Sequence, residues 1–339
     1  MSERAGDTTT DPTRRLSPVV RLAPAKLNLT LAVVARRADG YHSLHSVFAP
    51  LGLADRLSLA HASGDRDTLH VTGADAGPVS DNLVFRALAA TRDAVGGSWS
   101  GGPGPAPALA VRLDKRIPVA AGLGGGSSDA AAAIDGALEA WAAQLESEAR
   151  LRLAVRLGSD VPFFLAGGVA LVEGRGEQVA PLDGLHGIPG VLLVTPAIAV
   201  STPDVFAAFD AIRTHGDGAT RLTSTHLAEE LRAKLSTADL VARAGAMTVA
   251  NDLLPAAAMV VPAIVPFRRA LSRLLARPVG LSGSGPTLWA LYPSEVEAAN
   301  AAETVRTALW AERLAAPGDA QPFVAATIIQ TGHQHGSQP

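Results

Sequence analysis

The glycine-rich run from Gly122 to Ser128 constrains this 339-residue chain more than any other segment. It reads Gly-Leu-Gly-Gly-Gly-Ser-Ser and continues into Asp129 and four alanines, which predict a helix from Ser128 to Ala143. Glycines let successive backbone N–H groups converge on an anion, and the N-terminus of a helix adds partial positive charge. The run therefore predicts a phosphate site, in which the hydroxyls of Ser127 and Ser128 face a phosphate oxygen or a bound Mg²⁺.

Two better-known glycine motifs do not match this run. A P-loop requires a lysine directly after its last glycine, and none stands there. The dinucleotide fingerprint requires glycine at the position of Ser127, and an acidic residue about 20 residues further on, at the end of a second strand. The chain is predicted to be helical there, so hydride transfer is disfavoured. A flexible turn capped by serine is the remaining alternative to a phosphate site.

Composition indicates a globular protein with room for two domains. Apolar residues make up 47% of the chain, charged residues make up 18%, and the net charge is −3, so neither nucleic acid nor an anionic membrane is indicated as a partner. The chain has no cysteine, which excludes disulfides, thiol nucleophiles and Cys-ligated zinc. No apolar stretch reaches the roughly 18 residues of a membrane span. We expect a cytoplasmic protein, either a monomer or a homodimer.

Mixed strand and helix patterns in both halves predict an α+β protein of two lobes. We expect a disordered tail at 1–16, a first domain at 17–185, a second domain at 186–332, a tail at 333–339, and a loop at 96–107. Apolar runs between turn residues predict strands at Val19–Leu22, Leu27–Val34, Ser46–Leu51, Arg56–Leu59, Thr68–Val71, Ala108–Leu113, Val191–Val194, Thr287–Leu291 and Val324–Ile329. Helices are predicted at Asn82–Ala94, Ser128–Ala143, Glu148–Leu157, Thr202–Ala211, His226–Leu235 and Pro262–Leu275.

Three ordered blocks resemble the GHMP kinases, a family named for galactokinase, homoserine kinase, mevalonate kinase and phosphomevalonate kinase. Pro118–Ser128 matches the family's phosphate loop, Pro24–Leu29 matches a strand near its N-terminus, and Leu281–Thr287 matches a late glycine turn. The resemblance implies a two-lobed fold, with an N-terminal domain like ribosomal protein S5 and a C-terminal ferredoxin-like α/β domain. It also implies a small-molecule kinase that uses ATP and Mg²⁺.

The resemblance places ATP on the glycine run and on the start of an earlier helix. Asn82 is expected near the adenine or ribose, although Asp81 or Asn82 could equally be a plain helix cap. Ser128 is the one side chain expected to contact Mg²⁺, which the phosphates of ATP would otherwise hold. The implied ATP-binding residues are Pro118, Gly122, Leu123, Gly124, Gly125, Gly126, Ser127, Ser128 and Asn82.

A carboxylate and a lysine match the catalytic pair of the family. Asp160, in Gly-Ser-Asp-Val-Pro, is expected to accept the proton of the acceptor hydroxyl or to orient that hydroxyl. Lys26, in Pro-Ala-Lys-Leu-Asn, is expected to pair with Asp160 and keep it ionised. Asn28 lies two residues further on, so it shares a strand face with Lys26 and is expected to contact the substrate.

The blocks Arg36–Leu44 and Leu157–Phe163 resemble the branch of the family that phosphorylates a small-molecule cytidine diphosphate substrate. The resemblance implies that Tyr41 stacks on the cytosine, His42 bonds to its edge, and Phe206 covers its other face. Ser284 and Gly285 are expected in a turn whose backbone approaches the acceptor or the phosphate loop.

Three alternatives have a sequence feature against them. ATP-consuming decarboxylases share this fold, and other kinases of the family act on homoserine or mevalonate, but neither group has the Asp39–His42 block. A non-catalytic nucleotide sensor is the third alternative. It would be expected to have lost Lys26 or Asp160, and both are present.

Overall fold

The computed structural model describes residues 17–331 except 75–76, 98, 100–103 and 213–217. The predicted tails at 1–16 and 333–339, and part of the predicted loop at 96–107, lie outside these residues. The strands are β1 (Val19–Asn28), β2 (Ala32–Arg36), β3 (His42–His61), β4 (Thr68–Gly73), β5 (Leu109–Lys115), β6 (Ala170–Gly174), β7 (Gln178–Pro181), β8 (Leu185–His186), β9 (Gly190–Thr195), β10 (Leu235–Ser236), β11 (Gly280–Leu281), β12 (Leu288–Tyr292) and β13 (Phe323–Ile328).

Helices are spread over both halves of the chain. They are α1 (Leu83–Val95), α2 (Gly125–Ala140), α3 (Ser147–Leu157), α4 (Val161–Ala166), α5 (Thr202–Ile212), α6 (Ala219–Arg232), α7 (Thr237–Ala242), α8 (Ala244–Met247), α9 (Leu254–Val260), α10 (Ile264–Leu275) and α11 (Glu295–Trp310). None of the helices in the described ranges is both long enough and apolar enough to cross a membrane.

The first lobe is built around β3, a strand of 20 residues that pairs with four others. Its first half lies between β2 and β6, and its second half lies between β1 and β5. The alanine-rich helix α2 packs on β1 and β3 and against α1, and its alanines Ala130–Ala133 are buried. The small alanine side chains allow α2 to pack close to the sheet. The glycine-rich N-terminus of α2 therefore lies near β1.

The second lobe contains a four-stranded antiparallel sheet in the order β11-β12-β9-β13, with α11 packed on it. One apolar cluster joins the two lobes, because it combines Leu27, Val47 and Leu51 of the first lobe with Leu193 and Trp289 of the second. Strand β8 spans the two residues on either side of the predicted domain division, and that division stays a prediction.

The predicted strand Leu27–Val34 is wrong, because the chain leaves the sheet between β1 and β2. Leu29 N–H still donates to Val47 O of β3 at 2.9 Å, but Leu31 N–H donates to Ala250 O at 2.8 Å in the second lobe. The predicted strands Ser46–Leu51 and Arg56–Leu59 are one continuous strand, β3. Apolar periodicity could not reveal these changes, since both depend on partners distant in sequence.

Two helix predictions also need correction. The helix predicted at Ser128 begins at Gly125, so the last glycines of the run belong to its first turn. The helix predicted at His226–Leu235 is α6, which ends at Arg232 and is followed by β10. Sequence reasoning missed α11, although Ser294 accepts a hydrogen bond from Glu297 N–H at 3.2 Å, a recognisable N-cap.

Candidate active site

The phosphate loop connects β5 to α2, as the glycine run predicts. Gly124 precedes the helix with a left-handed φ of 71°, and Ser128 N–H donates to Gly124 O at 2.9 Å. The first amides of a helix have no carbonyl partner within it, so those of Gly125, Gly126 and Ser127 are available to an anion. The arrangement provides the N–H groups and the helix N-terminus that bind phosphate.

Gly122 fits the loop against the late glycine turn of the second lobe. Its φ is 75°, and an added Cβ would lie 2.4 Å from Ser282 O and 3.1 Å from Gly285 O. Ser282 Oγ also donates to Gly122 O at 3.0 Å. The late turn therefore contacts the phosphate loop itself. Ser284 lies in the same turn, with its Oγ 2.9 Å from Thr202 Oγ1 at the start of α5.

Lys26 and Asp160 lie together beside this loop. Lys26 Nζ is 3.5 Å from Asp160 Oδ2, and the side chain of Lys26 is only 6% exposed. Asp160 directly precedes α4, with Pro162 in the first turn, but its carboxylate makes no capping bond to the described backbone of that helix. The carboxylate is thus available to Lys26 and to a ligand.

Several contacts fix the position of Lys26. Its N–H donates to Leu123 O at 2.8 Å, and its Nζ lies 4.7 Å from the centre of the Phe48 ring. Nζ also donates to Asn28 Oδ1 at 2.7 Å, as expected for residues on one strand face. Asn28 Nδ2 donates to Ser46 Oγ at 3.1 Å, which holds the amide oxygen toward Lys26. Sequence reasoning missed Ser46, because it lies on a different strand and no local pattern marks it.

The residues expected on the cytosine form a second group at the start of β3. The rings of His42 and Phe206 are stacked, with centroids 4.9 Å apart, and His42 Nε2 lies 2.7 Å from Asp210 Oδ1. Tyr41 is half exposed, and the Arg175 guanidinium lies 4.5 Å from the centre of its ring. Phe206 thus contacts His42 in this structure, and the roles of all three rings toward a base stay predictions.

Asn82 caps α1, because its side chain accepts a hydrogen bond from Val84 N–H at 3.0 Å. This is one of the two interpretations that the sequence leaves open. The neighbouring Leu83 lies against the phosphate loop, 3.7 Å from a Cβ built on Gly126. Asn82 therefore lies at the edge of the loop, and its contact with a nucleotide stays a prediction.

Sequence reasoning missed a buried ionic cluster beneath the phosphate loop. Lys115 Nζ donates to both Asp55 and Asp129, and its distance to Asp129 Oδ2 is 2.7 Å. Burial raises the pKa of Asp129 to about 7, since Lys115 only partly offsets the cost of removing a carboxylate from water. Burial acts to lower the pKa of Lys115, but Asp129 and Asp55 raise it overall. The sequence feature that could have revealed this cluster is the pair Lys115 and Asp129, which flank the loop.

The described residues contain no group of three or more His, Cys, Asp or Glu side chains that could hold a metal ion. Ser128 Oγ is buried at the first turn of α2 and has no hydrogen-bond partner in the described part of the chain. A buried hydroxyl without a partner is costly, so this oxygen fits a ligand supplied from outside. Its position suits a phosphate oxygen or a magnesium ion bound to one.

Comparisons with known proteins identify the family of this chain. The family model described as "GHMP kinases N terminal domain" matches residues 82–168, and that described as "GHMP kinases C terminal" matches residues 228–311. A curated relative from Pelotomaculum thermopropionicum, named 4-diphosphocytidyl-2-C-methyl-D-erythritol kinase, is 38% identical over 80% of this chain and 88% of its own length. A relative of the same name from Nocardia farcinica is 39% identical over 86% of this chain and 94% of its own.

Solved structures show the same fold. A crystal structure titled as 4-(cytidine 5'-diphospho)-2C-methyl-D-erythritol kinase has a TM-score of 0.65 and 32% identity, and the match covers 92% of this chain and 99% of that one. A homoserine kinase from Cytophaga hutchinsonii has a TM-score of 0.65 at 17% identity, covering 93% and 95%, and supports the fold alone. The predicted α+β fold with N- and C-terminal GHMP domains is confirmed. The chain belongs to the GHMP kinase family.

Proposed function

We propose that this chain transfers the γ-phosphoryl group of ATP to the 2-hydroxyl of 4-diphosphocytidyl-2-C-methyl-D-erythritol, a step of the non-mevalonate isoprenoid pathway. The observation that carries the proposal is the Lys26–Asp160 pair beside the phosphate loop. The relatives that share the name of this activity, and match over most of the chain, support the choice of acceptor.

The Asp160 carboxylate accepts the proton of the 2-hydroxyl, or orients that hydroxyl for attack on the γ-phosphorus. The Lys26 ammonium, 3.5 Å away, attracts the carboxylate and holds it beside the phosphate loop. Asn28 holds the other side of the ammonium and lies where it can contact the substrate. The pair acts on the acceptor while the loop holds the donor, so alignment of the two is the main contribution of the protein.

The amides of Gly122 to Ser127 and the N-terminus of α2 bind the phosphates of ATP. Mg²⁺ would be held by those phosphates and by the Ser128 hydroxyl, and it supplies charge neutralisation for the transferred group. Pro118 and Asn82 border the nucleotide at either side of the loop. The division of the chain into an ATP-binding domain at 17–185 and a second domain at 186–332 is part of this proposal.

The cytidine end of the acceptor binds at the start of β3, against Tyr41, His42 and Phe206. Ser284 and Gly285 are proposed to contact the acceptor, because their turn contacts the phosphate loop and Ser284 bonds to the start of α5, the helix that carries Phe206. Aromatic stacking of a base contributes about 1–3 kcal/mol per partner. We place the enzyme in the cytoplasm as a monomer or homodimer, with no nucleic-acid partner.

The test is a turnover assay with purified protein, ATP, Mg²⁺ and one acceptor at a time. We expect ADP and a 2-phosphorylated product from the cytidine diphosphate substrate, and no ADP above background from mevalonate or homoserine. Release of CO₂ and orthophosphate from a diphosphomevalonate control would favour the decarboxylase alternative. Absence of ADP formation with the cytidine diphosphate substrate would refute the proposal.

A further inference from the structure

Both ends of the phosphate loop are tied to one buried cluster. At the start of the loop, Asp55 Oδ1 accepts hydrogen bonds from Arg116 N–H at 2.5 Å and Ile117 N–H at 2.8 Å. At its end, Asp129 in the first turns of α2 accepts from Lys115 Nζ at 2.7 Å. Lys115 also donates to Asp55, so β3, the end of β5 and the start of α2 meet at one ammonium group.

The cluster also contacts the loop at Gly125. A Cβ built on Gly125 would lie 3.3 Å from Lys115 Nζ and 3.1 Å from Ile117. The side chains of Lys115, Asp55 and Asp129 are 4%, 0% and 3% exposed, so solvent does not compete for these bonds. Asp129 Oδ1 is also buried, without a hydrogen-bond partner among the described residues.

Net stability is a weak reason for such a cluster. Removing ionic groups from water costs about as much as their attraction returns, and apolar residues of similar size often stabilise a core as well. What the cluster supplies, and apolar packing does not, is a fixed direction for each bond. The beginning and end of the loop are thereby held in one geometry before any ligand arrives.

We infer that the cluster of Lys115, Asp55 and Asp129 is a clasp that positions the loop of residues 116–128 for binding the phosphates of ATP. All three are positioning residues, since they act through the backbone of the loop. The inference deepens the proposed function and rests on it for the identity of the ligand. The geometry of the clasp itself is independent of that function.

The test compares Asp129→Ala with Asp129→Asn. Alanine removes the bond to Lys115, whereas asparagine keeps an oxygen that can accept it. In nucleotide-free protein, we expect the loop amides of 116–128 to exchange hydrogen about tenfold faster in Asp129→Ala, as expected for one lost charge-assisted hydrogen bond. The asparagine variant should stay close to the parent. The KM for ATP should rise by a similar factor in the alanine variant, with the KM for the acceptor unchanged.

Asp67→Ala is the matched control. Asp67 accepts two bonds from Arg92 and one from Leu109 N–H, so this variant also loses an ion pair, a partly buried one in a different part of the first lobe. We expect a lower melting temperature without faster exchange in the loop and without a change in the KM for ATP. Equal loop exchange in Asp129→Ala and the parent, or equal loosening in Asp67→Ala, would overturn the clasp.

A second variant covers the case in which Asp129→Ala does not fold. The triple change Lys115→Met, Asp129→Leu and Asp55→Asn removes all three charges, and the asparagine keeps an oxygen for the N–H groups of Arg116 and Ile117. This variant should fold while its loop exchanges faster than in the parent. Parent-like exchange in this variant would contradict the inference. If the parent protein fails to bind ATP, the proposed function fails, while the exchange measurements still decide whether the clasp exists.

Discussion

The Asp160 carboxylate is available to a ligand because it makes no capping bond to the described backbone of α4. Asp160 occupies the residue before α4, where an aspartate usually caps the helix, yet its carboxylate points to Lys26. Pro162 lacks an N–H, so the first turn has one fewer donor to attract the carboxylate. A role in catalysis therefore does not compete with a role in helix capping.

We predict that Asp160→Asn lowers kcat by about 10²–10⁴-fold, the range for losing a positioned acid–base group. The affinity for ATP should be nearly unchanged, because the loop and α2 bind the phosphates. Steady-state kinetics and calorimetric titration with a non-hydrolysable ATP analogue measure the two quantities. Asp93→Asn, at an exposed position on α1, is the control and should behave like the parent. Loss of ATP binding in Asp160→Asn would instead mark this residue as structural.

At the scale of single residues, some residues of the site could be predicted from the sequence and others could not. Lys26, Asn28 and Asp160 could be found because they stand in short blocks with a recognisable sequence. Ser46 and Asp55 could not, since they come from β3 and acquire their partners only when that strand pairs with β1 and β5. Pairing between distant strands leaves no local pattern, and strand propensity does not show which partner a polar residue will meet.

At the scale of elements, the meeting of the phosphate loop with the late turn depends on one glycine. Gly122 has a φ of 75° and leaves no room for a Cβ beside Ser282 O. Any other residue would suffer both backbone strain and a clash with the carbonyl group of another lobe. The sequence of the glycine run thus reflects packing between elements as well as access for a phosphate.

We predict that Gly122→Ala destabilises the fold by about 1–3 kcal/mol, the usual cost of a strained backbone conformation. The KM for ATP should rise as well, because the loop must shift to relieve the contact. Chemical denaturation and steady-state kinetics provide the measurements. Gly245→Ala serves as the control, since its Cβ would meet no atom of the described residues within 4 Å and the residue lies in α8. An unchanged KM for ATP in Gly122→Ala would show that the contact does not influence the site.

At the scale of the whole molecule, sequence patterns recovered the fold class and most of the long elements. Two of the failures concern elements that are defined by partners distant in sequence. The break between β1 and β2 is one case, because Leu31 pairs there with residues near Asn251. The short strand β10 is another, since it pairs with β8, which is distant in sequence. Local propensity predicts elements that can form on their own. The interruption between β1 and β2 and the strand β10 both depend on distant partners, so local propensity does not predict them.

The apolar cluster shared by the two lobes has a consequence for how substrates enter. Separate domains in one chain usually move as rigid bodies about a hinge, unless a large apolar interface joins them. Here Leu27 and Val47 pack in one core with Leu193 and Trp289, and Thr30 Oγ1 lies 2.8 Å from Ser224 Oγ across the same boundary. Opening the lobes would expose that core to water.

We therefore predict that this kinase admits its substrates by movement of side chains and short loops, without hinge opening. Small-angle X-ray scattering should give the same radius of gyration for the free protein and for its complex with an ATP analogue and the acceptor. A decrease on binding that exceeds experimental error would show closure of the lobes and contradict this view. If it holds, the two substrates meet in a cleft whose width was set during folding, and neither substrate has to supply binding energy to bring the lobes together.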